Sequence, residues 1–249
     1  MSTYKNFVKA LTKNDIRAYN NGVKAYILLC AQIKGEFEKM LKARDFRKQA
    51  WNSLNGLWGT MALVTLVFVA IMSLSGGIPF GFYIIGGPLT LGATQIYMSI
   101  IRKNRKPEIG QLFDGFNNFG SSLILMLLNQ LLIFLWTMLF IIPGIIKSYS
   151  YSMSYYVLAD NPAMSPNDAR KKSMELMKGN KWRLFCLDFS FIGWELLTII
   201  TFGIASFWVT PYKEAAYAAF YQNLLVEQGL VTPEAPAEET YADTAASEI

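Results

Sequence analysis

Between Lys48 and Arg102 the chain runs 53 residues without a charged side chain, and a second charge-free run of 32 residues separates Asp114 from Lys147. A water-soluble domain rarely leaves such gaps, because charged side chains dominate the wetted faces of its helices. Each run is long enough for more than one bilayer crossing at about 20 residues per helix. Hydrophobic residues make up 53% of the 249-residue chain and charged residues only 16%. The expectation is therefore an all-α membrane protein.

Turn residues divide the apolar sequence. Six spans are expected, at 57–74, 82–101, 121–142, 145–159, 182–200 and 206–225, forming three helical hairpins. Ser75-Gly76-Gly77-Ile78-Pro79, Pro143-Gly144 and Thr201-Phe202-Gly203 supply their outer turns. Pro88, Pro143 and Pro211 lie near the outer ends of the return limbs. The first turn of a helix tolerates proline, since its missing N–H has no partner to lose there. The first long apolar run begins too late for a cleaved secretory signal, so the first span is expected to remain as an anchor.

Charge placement orients the hairpins. Residues 102–119 carry four bases and two acids, 160–183 carry six bases and three acids, and the outer turns carry none. Basic loops stay cytoplasmic, which puts both termini inside as well. A four-span alternative that skips 145–159 would expose a loop of net charge +3 on the outside.

Three regions follow. Residues 1–48 hold eleven bases against four acids. There Tyr4, Phe7, Val8 and Leu11 recur at helical spacing beside Lys5 and Lys9, which suits an amphipathic helix on an anionic membrane face. Residues 49–226 form the membrane domain. Residues 227–249 contain six acids and no base, and read as a disordered tail. Two cytoplasmic or interfacial amphipathic helices are expected in the loops. One follows Pro107, with Ile109, Leu112, Phe113 and Phe116 on one face. The other opens at Ser165-Pro166-Asn167-Asp168 and stops at Gly179. Its Arg170, Lys171, Lys172 and Lys178 are candidate contacts for anionic lipid headgroups. The same bases also satisfy the positive-inside bias alone.

The chain contains no histidine, which removes His-dependent triads and zinc-protease helices. Two cysteines, Cys30 and Cys186, make no disulfide framework. No nucleophile stands beside a base. Hence no catalytic residue, metal or cofactor is expected, and no nucleic-acid partner. An ionisable group at bilayer depth costs on the order of 2.5–3.5 kcal/mol, so such groups mark where function is sought. Five qualify: Lys147, Asp188, Glu195, Lys213 and Glu214. Asp188 and Glu195 are two helical turns apart and share a face. The fourth span adds a polar stripe of Lys147, Ser150, Tyr151 and Ser154, with Tyr149, Ser152, Tyr155 and Tyr156 around it. Gln95, Asn129 and Gln130 add uncharged hydrogen-bonding groups. Two readings fit: interhelical ion pairs that fix packing, or a polar pathway in which Glu195 and Asp188 bind protons or a cation.

Several segments in order carry a family resemblance over about 41–228. They are Ala50-Trp51, Leu57-Trp58-Gly59, Gly87-Pro88-Leu89, Leu112-Phe113-Asp114-Gly115-Phe116 and Ile141-Ile142-Pro143-Gly144-Ile145-Ile146. They continue with Tyr156-Val157-Leu158-Ala159-Asp160-Asn161-Pro162, Met177-Lys178-Gly179-Asn180-Lys181-Trp182, Phe191-Ile192-Gly193-Trp194, Thr210-Pro211-Tyr212 and Ala218-Ala219-Phe220-Tyr221. This set resembles the DUF975 family of bacterial integral membrane proteins. The Ile-Pro-Gly element and the Lys-Gly segment are also similar to membrane domains attached to glycerophosphodiester phosphodiesterases. The resemblance implies a polytopic protein of the bacterial plasma membrane and no particular reaction. The expected role is a non-enzymatic scaffold, regulator or accessory of the envelope, in contact with membrane lipids and with a membrane-protein partner or a second copy. The alternatives are a small transporter or channel subunit using Glu195 and Asp188, and lipid handling at the cytoplasmic face.

Overall fold

The computed structural model describes residues 43–77, 81–102 and 106–231. The expected helix around 4–11, Cys30 and the acidic stretch beyond 231 lie outside the described residues. Among the described residues every regular element is helical. Helix α1 covers residues 43–53 and runs through the expected domain boundary at 48. It buries Ala43, Phe46 and Ala50, and Leu54 just past its end is buried with them. These recur every three or four residues, so one apolar stripe faces the core. Gly56, at φ 78°, turns the chain into α2 (Trp58–Ser75).

Helix α3 (Gly81–Ile101) is the centre of the bundle: 67% of its most apolar stretch is buried, against 22% for α2. A 3-10 helix (Ile109–Asn118) then leads into α4 (Phe119–Leu139). The 3-10 segment lies so close to α3 that a Cβ on Gly92 would strike the Leu112 carbonyl, and one on Gly115 the Pro88 carbonyl. Only glycine permits that approach. The remaining helices are α5 (Ile141–Tyr151), α6 (Ser154–Asp160), α7 (Pro166–Leu176), α8 (Lys181–Ile200) and α9 (Ser206–Glu227). Ala215, Ala216, Ala218 and Ala219 let α9 pack closely inside the bundle.

The six expected spans do not appear as six long apolar helices. Among the described residues, three segments are long and apolar enough to cross a membrane: Trp58–Ser75, Gly81–Ile101 and Ile109–Leu139. The return limb expected at 145–159 is two short helices. The break before it lies at Phe140, inside the span expected to run to 142, in extended conformation (φ −156°, ψ 139°), three residues before Pro143. A continuous helix would drive the Pro143 ring into the Leu139 carbonyl; breaking at Phe140 puts the proline in the first turn of α5. The second break, between Tyr151 and Ser154, is filled by Ser173 of α7. Its hydroxyl donates to the Ser150 carbonyl (2.8 Å) and accepts from the Met153 N–H (3.2 Å). A side chain inserted in the helical ladder is a known cause of interruption. Helix α8 carries Arg183, Asp188 and Glu195, and α9 carries Lys213 and Glu214, which lowers both below the other three in apolar character. Pro88 and Pro211 sit inside α3 and α9 and not in their first turns, although both helices begin within a residue of where the sequence places them.

The loop after Pro107 also differs from an α-helical amphipath. With three residues per turn, every third side chain eclipses. Leu112 and Gly115 face α3, while Phe113, Phe116 and Phe119 form an exposed row with ring centroids 6.2 and 6.4 Å apart.

Removing the Ser173 hydroxyl strands two buried backbone groups, a loss of about 1–3 kcal/mol. Ser173→Ala is expected to lower the thermal unfolding midpoint in detergent, whereas Ser148→Ala, at an exposed hydroxyl on α5, leaves it unchanged.

Candidate functional site

Charged side chains meet where α5, α8 and α9 come together. Asp188 and Glu195 lie two turns apart on α8; Lys213 and Tyr217 lie one turn apart on α9. The Lys213 ammonium donates to Glu195 at 2.9 Å and stands 3.8 Å from Asp188. Asp188 accepts from the Tyr149 hydroxyl on α5 (2.8 Å) and from the Tyr217 hydroxyl on α9. One turn away, Glu214 accepts from Tyr156 of α6 at 3.3 Å. One cation thus serves two carboxylates, and phenol hydroxyls supply the remaining donors. Hydrogen bonds to an ionised acceptor are the stronger kind, which suits this arrangement to holding helices together.

A second polar layer ties helix ends at one end of the bundle. Arg102, just past α3, grips Asp160 at the end of α6 through two parallel bonds (2.6 and 2.9 Å), and its Nε donates to Gln222 of α9 (3.0 Å). Tyr221 of α9 donates to the same carboxylate at 2.9 Å. Arg183, at the start of α8 and 5% exposed, grips Glu227 at 2.6 and 3.0 Å and donates to Asn223 and Asn180. Its guanidinium also lies over the Phe46 and Phe220 rings. The fork geometry of arginine is what makes each of these grips bidentate.

Of the five expected intramembrane charges, Asp188, Glu195 and Lys213 form one cluster, with Glu214 beside it. Lys147 stands apart, 4.9 Å over the Trp136 ring, a cation–π contact between α5 and α4. The four candidate lipid-binding bases do not make one uniform patch. Arg170 donates to Asn167 (2.6 Å) and packs over Tyr151, while Lys171 pairs with Asp168 and Lys172 with Glu175, both at 3.4 Å. Lys178 is exposed. Acids three and four residues away interrupt the basic face. Asp168 is also the capping residue expected from sequence: Ser165 donates to its carboxylate (2.8 Å) and accepts from its N–H (3.2 Å). The Ser165 bond, then Lys171, holds the Asp168 carboxyl below its ordinary range.

Sequence reading missed Tyr217, Arg102, Asp160, Arg183 and Glu227. Each lies at a helix end or on a face whose partner is more than twenty residues away, so no local spacing announces it. The basic count of the loops hid two structural arginines among ordinary positive-inside charges.

Three cavities border these elements. A polar one of about 370 Å³ includes Gln95, Ser99, Arg102, Gln111, Asp114 and Asp160 in its lining. An apolar one of about 280 Å³ is walled by Trp51, Trp58, Trp194, Trp208, Val209 and Tyr212. The third, about 530 Å³, opens between α3 and α4. None of the three is lined by Asp188, Glu195 or Lys213. Among the described residues no group of three or more acidic or cysteine side chains converges as a metal site would require.

A helical bundle with apolar outer faces and interhelical ion pairs is thus the class that fold and site define. The chain belongs to the DUF975 family, described as proteins of unknown function, whose family model matches residues 40–149 and 139–228. No curated protein and no solved structure matches it.

Arg183→Met leaves Glu227 without its clamp. The expected destabilisation is about 2–3 kcal/mol, under the roughly 3–5 kcal/mol for fully buried pairs, because water still reaches Glu227. Chemical or thermal unfolding in detergent reads this directly. For Asp168, a lowered folded pKa means its contribution is complete above the ordinary aspartate range and fades as pH falls through the folded value. Ser165→Ala is expected to return its titration, followed by NMR, toward that ordinary range.

Proposed function

We propose that this chain is a multi-pass protein of the bacterial plasma membrane with a non-enzymatic role, as a scaffold, regulator or accessory of another envelope component. One observation carries the reading: the carboxylates of α8 and α9 are each taken up by side chains of neighbouring helices. Asp188 is held by Tyr149, Tyr217 and Lys213, Glu195 by Lys213, and Glu214 by Tyr156. A transported ion or proton would need to reach Glu195 or Asp188 through water, and the three cavities described lie elsewhere. Polar side chains used this way are interhelical glue.

The chain passes the bilayer six times in this reading, with both termini cytoplasmic. Support comes from the grips between residues 102 and 160 and between 183 and 227, which both reach the same turn of α9 through Gln222 and Asn223. Each excursion between those points, α4 out and α5–α6 back, then α8 out and α9 back, returns to the side from which it left. In the broken return limb and the charged hairpin, polar side chains pair across helices, which lowers the cost of placing them in lipid.

In proteoliposomes, Glu195→Gln is expected to lower thermal stability and to change no proton or cation flux. A flux that wild type supports and a well-folded Glu195→Gln variant loses would overturn the scaffold reading. In a background without native cysteines, Lys171→Cys should react with a membrane-impermeant thiol reagent only after cells are opened; labelling on intact cells would reverse the orientation.

A further inference from the structure

Helix α4 is the peripheral member of the bundle. Its buried residues are Ser122 and Leu125, and only 11% of the most apolar stretch of Ile109–Leu139 is covered by protein. Midway along it Gln130 is exposed, although its exposed neighbours Ile124, Leu127, Leu131, Phe134, Leu135 and Met138 are all apolar. Lipid tails carry neither donor nor acceptor, so a carboxamide facing them is left unsatisfied at a cost. Gln130 also lies in a seam. Leu123, Leu127, Gln130 and Phe134 are spaced four, three and four residues apart, the alternation of a coiled-coil core. All four line the cavity of about 530 Å³ between α3 and α4, with Tyr83 on its other wall. A heptad-spaced ridge bordering an open groove is the surface that another helix fits.

We propose that this surface binds a second copy of the same chain, with α4 packing parallel to α4 about a two-fold axis along the membrane normal. The inference rests on the membrane reading above. Copies inserted in one orientation place Gln130 opposite Gln130 at equal depth. A carboxamide has both donors and acceptors, so each side satisfies the other. A two-fold contact needs such self-complementarity, because the same patch serves both partners. A single polar residue in an otherwise apolar seam also sets register and oligomeric state. Flanking leucines and Phe134 supply the packing.

The test uses the full chain in native membranes, with Cys30→Ser and Cys186→Ser, and single cysteines placed in turn from 121 to 136. Oxidation is expected to yield disulfide-linked dimers at 123, 127, 130 and 134 and background levels at 125, 128 and 132. Independently, Gln130→Leu should weaken dimerisation by about 3- to 30-fold in a dilution assay in bilayers, and Gln130→Asn should retain it better than Leu. A membrane-embedded monomer, a cross-linking maximum on another face, or Gln130→Leu dimers as tight as wild type would each overturn the dimer while leaving the membrane reading intact. Recovery of the chain without detergent in the soluble fraction would overturn both.

Discussion

Taking a guanidinium or a carboxylate out of water costs several kcal/mol per ion, and a single pairwise contact seldom returns that cost. Here each deeply placed charge is shared among helices. Arg102 touches α6 and α9 from the end of α3, and Arg183 touches α9 from the start of α8 while lying over an α1 ring. These grips pin several helix ends to one level. Once those ends are pinned, the apolar limbs need little further specification. They extend away from the pinned layer with increasingly exposed leucine, isoleucine and phenylalanine, a surface unsuited to water and suited to lipid.

The interior sorts its helices by side-chain size. Helix α3 presents glycine to the 3-10 segment, and α9 presents a run of alanines, so both sit centrally. Leucine dominates α4, and large aliphatic and aromatic residues the far part of α8, and both stand at the periphery. In the proposed membrane setting no hydrophobic force acts between helices, and close packing and polar contacts carry association. The cluster of Asp188, Glu195 and Lys213 fits this division. It lies between limbs whose outer faces are apolar, and its tyrosine partners come from both.

Much of this was legible in the order of residues. Charge-free runs located the apolar helices within a few residues, and Ser165-Pro166-Asn167-Asp168 marked a helix start that the structure contains. Asp188 and Glu195 stood out as carboxylates in an apolar helix, and seven-residue spacing put them on one face. What could not be read was tertiary. The break at Phe140 follows from Pro143, yet its position three residues upstream depends on where the carbonyl clash falls. The break after Tyr151 has no local cause at all, since the serine that fills it lies some twenty residues away. Composition also made α8 and α9 look like ordinary spans, although their charges set them apart from the three helices that qualify by length and hydropathy.

The 3-10 geometry of Ile109–Asn118 sets a reading frame. Successive residues there advance by about 120°, so the sequence is parsed in threes: one row of small or aliphatic side chains inward, one row of phenyl rings outward. Losing or gaining one residue would rotate everything downstream by a third of a turn. Bulk would then arrive where Gly115 admits the Pro88 carbonyl, and the aromatic row would leave its alignment. Outside its inward row of Leu112 and Gly115, this connector is therefore more sensitive to a change of length than to a change of side chain.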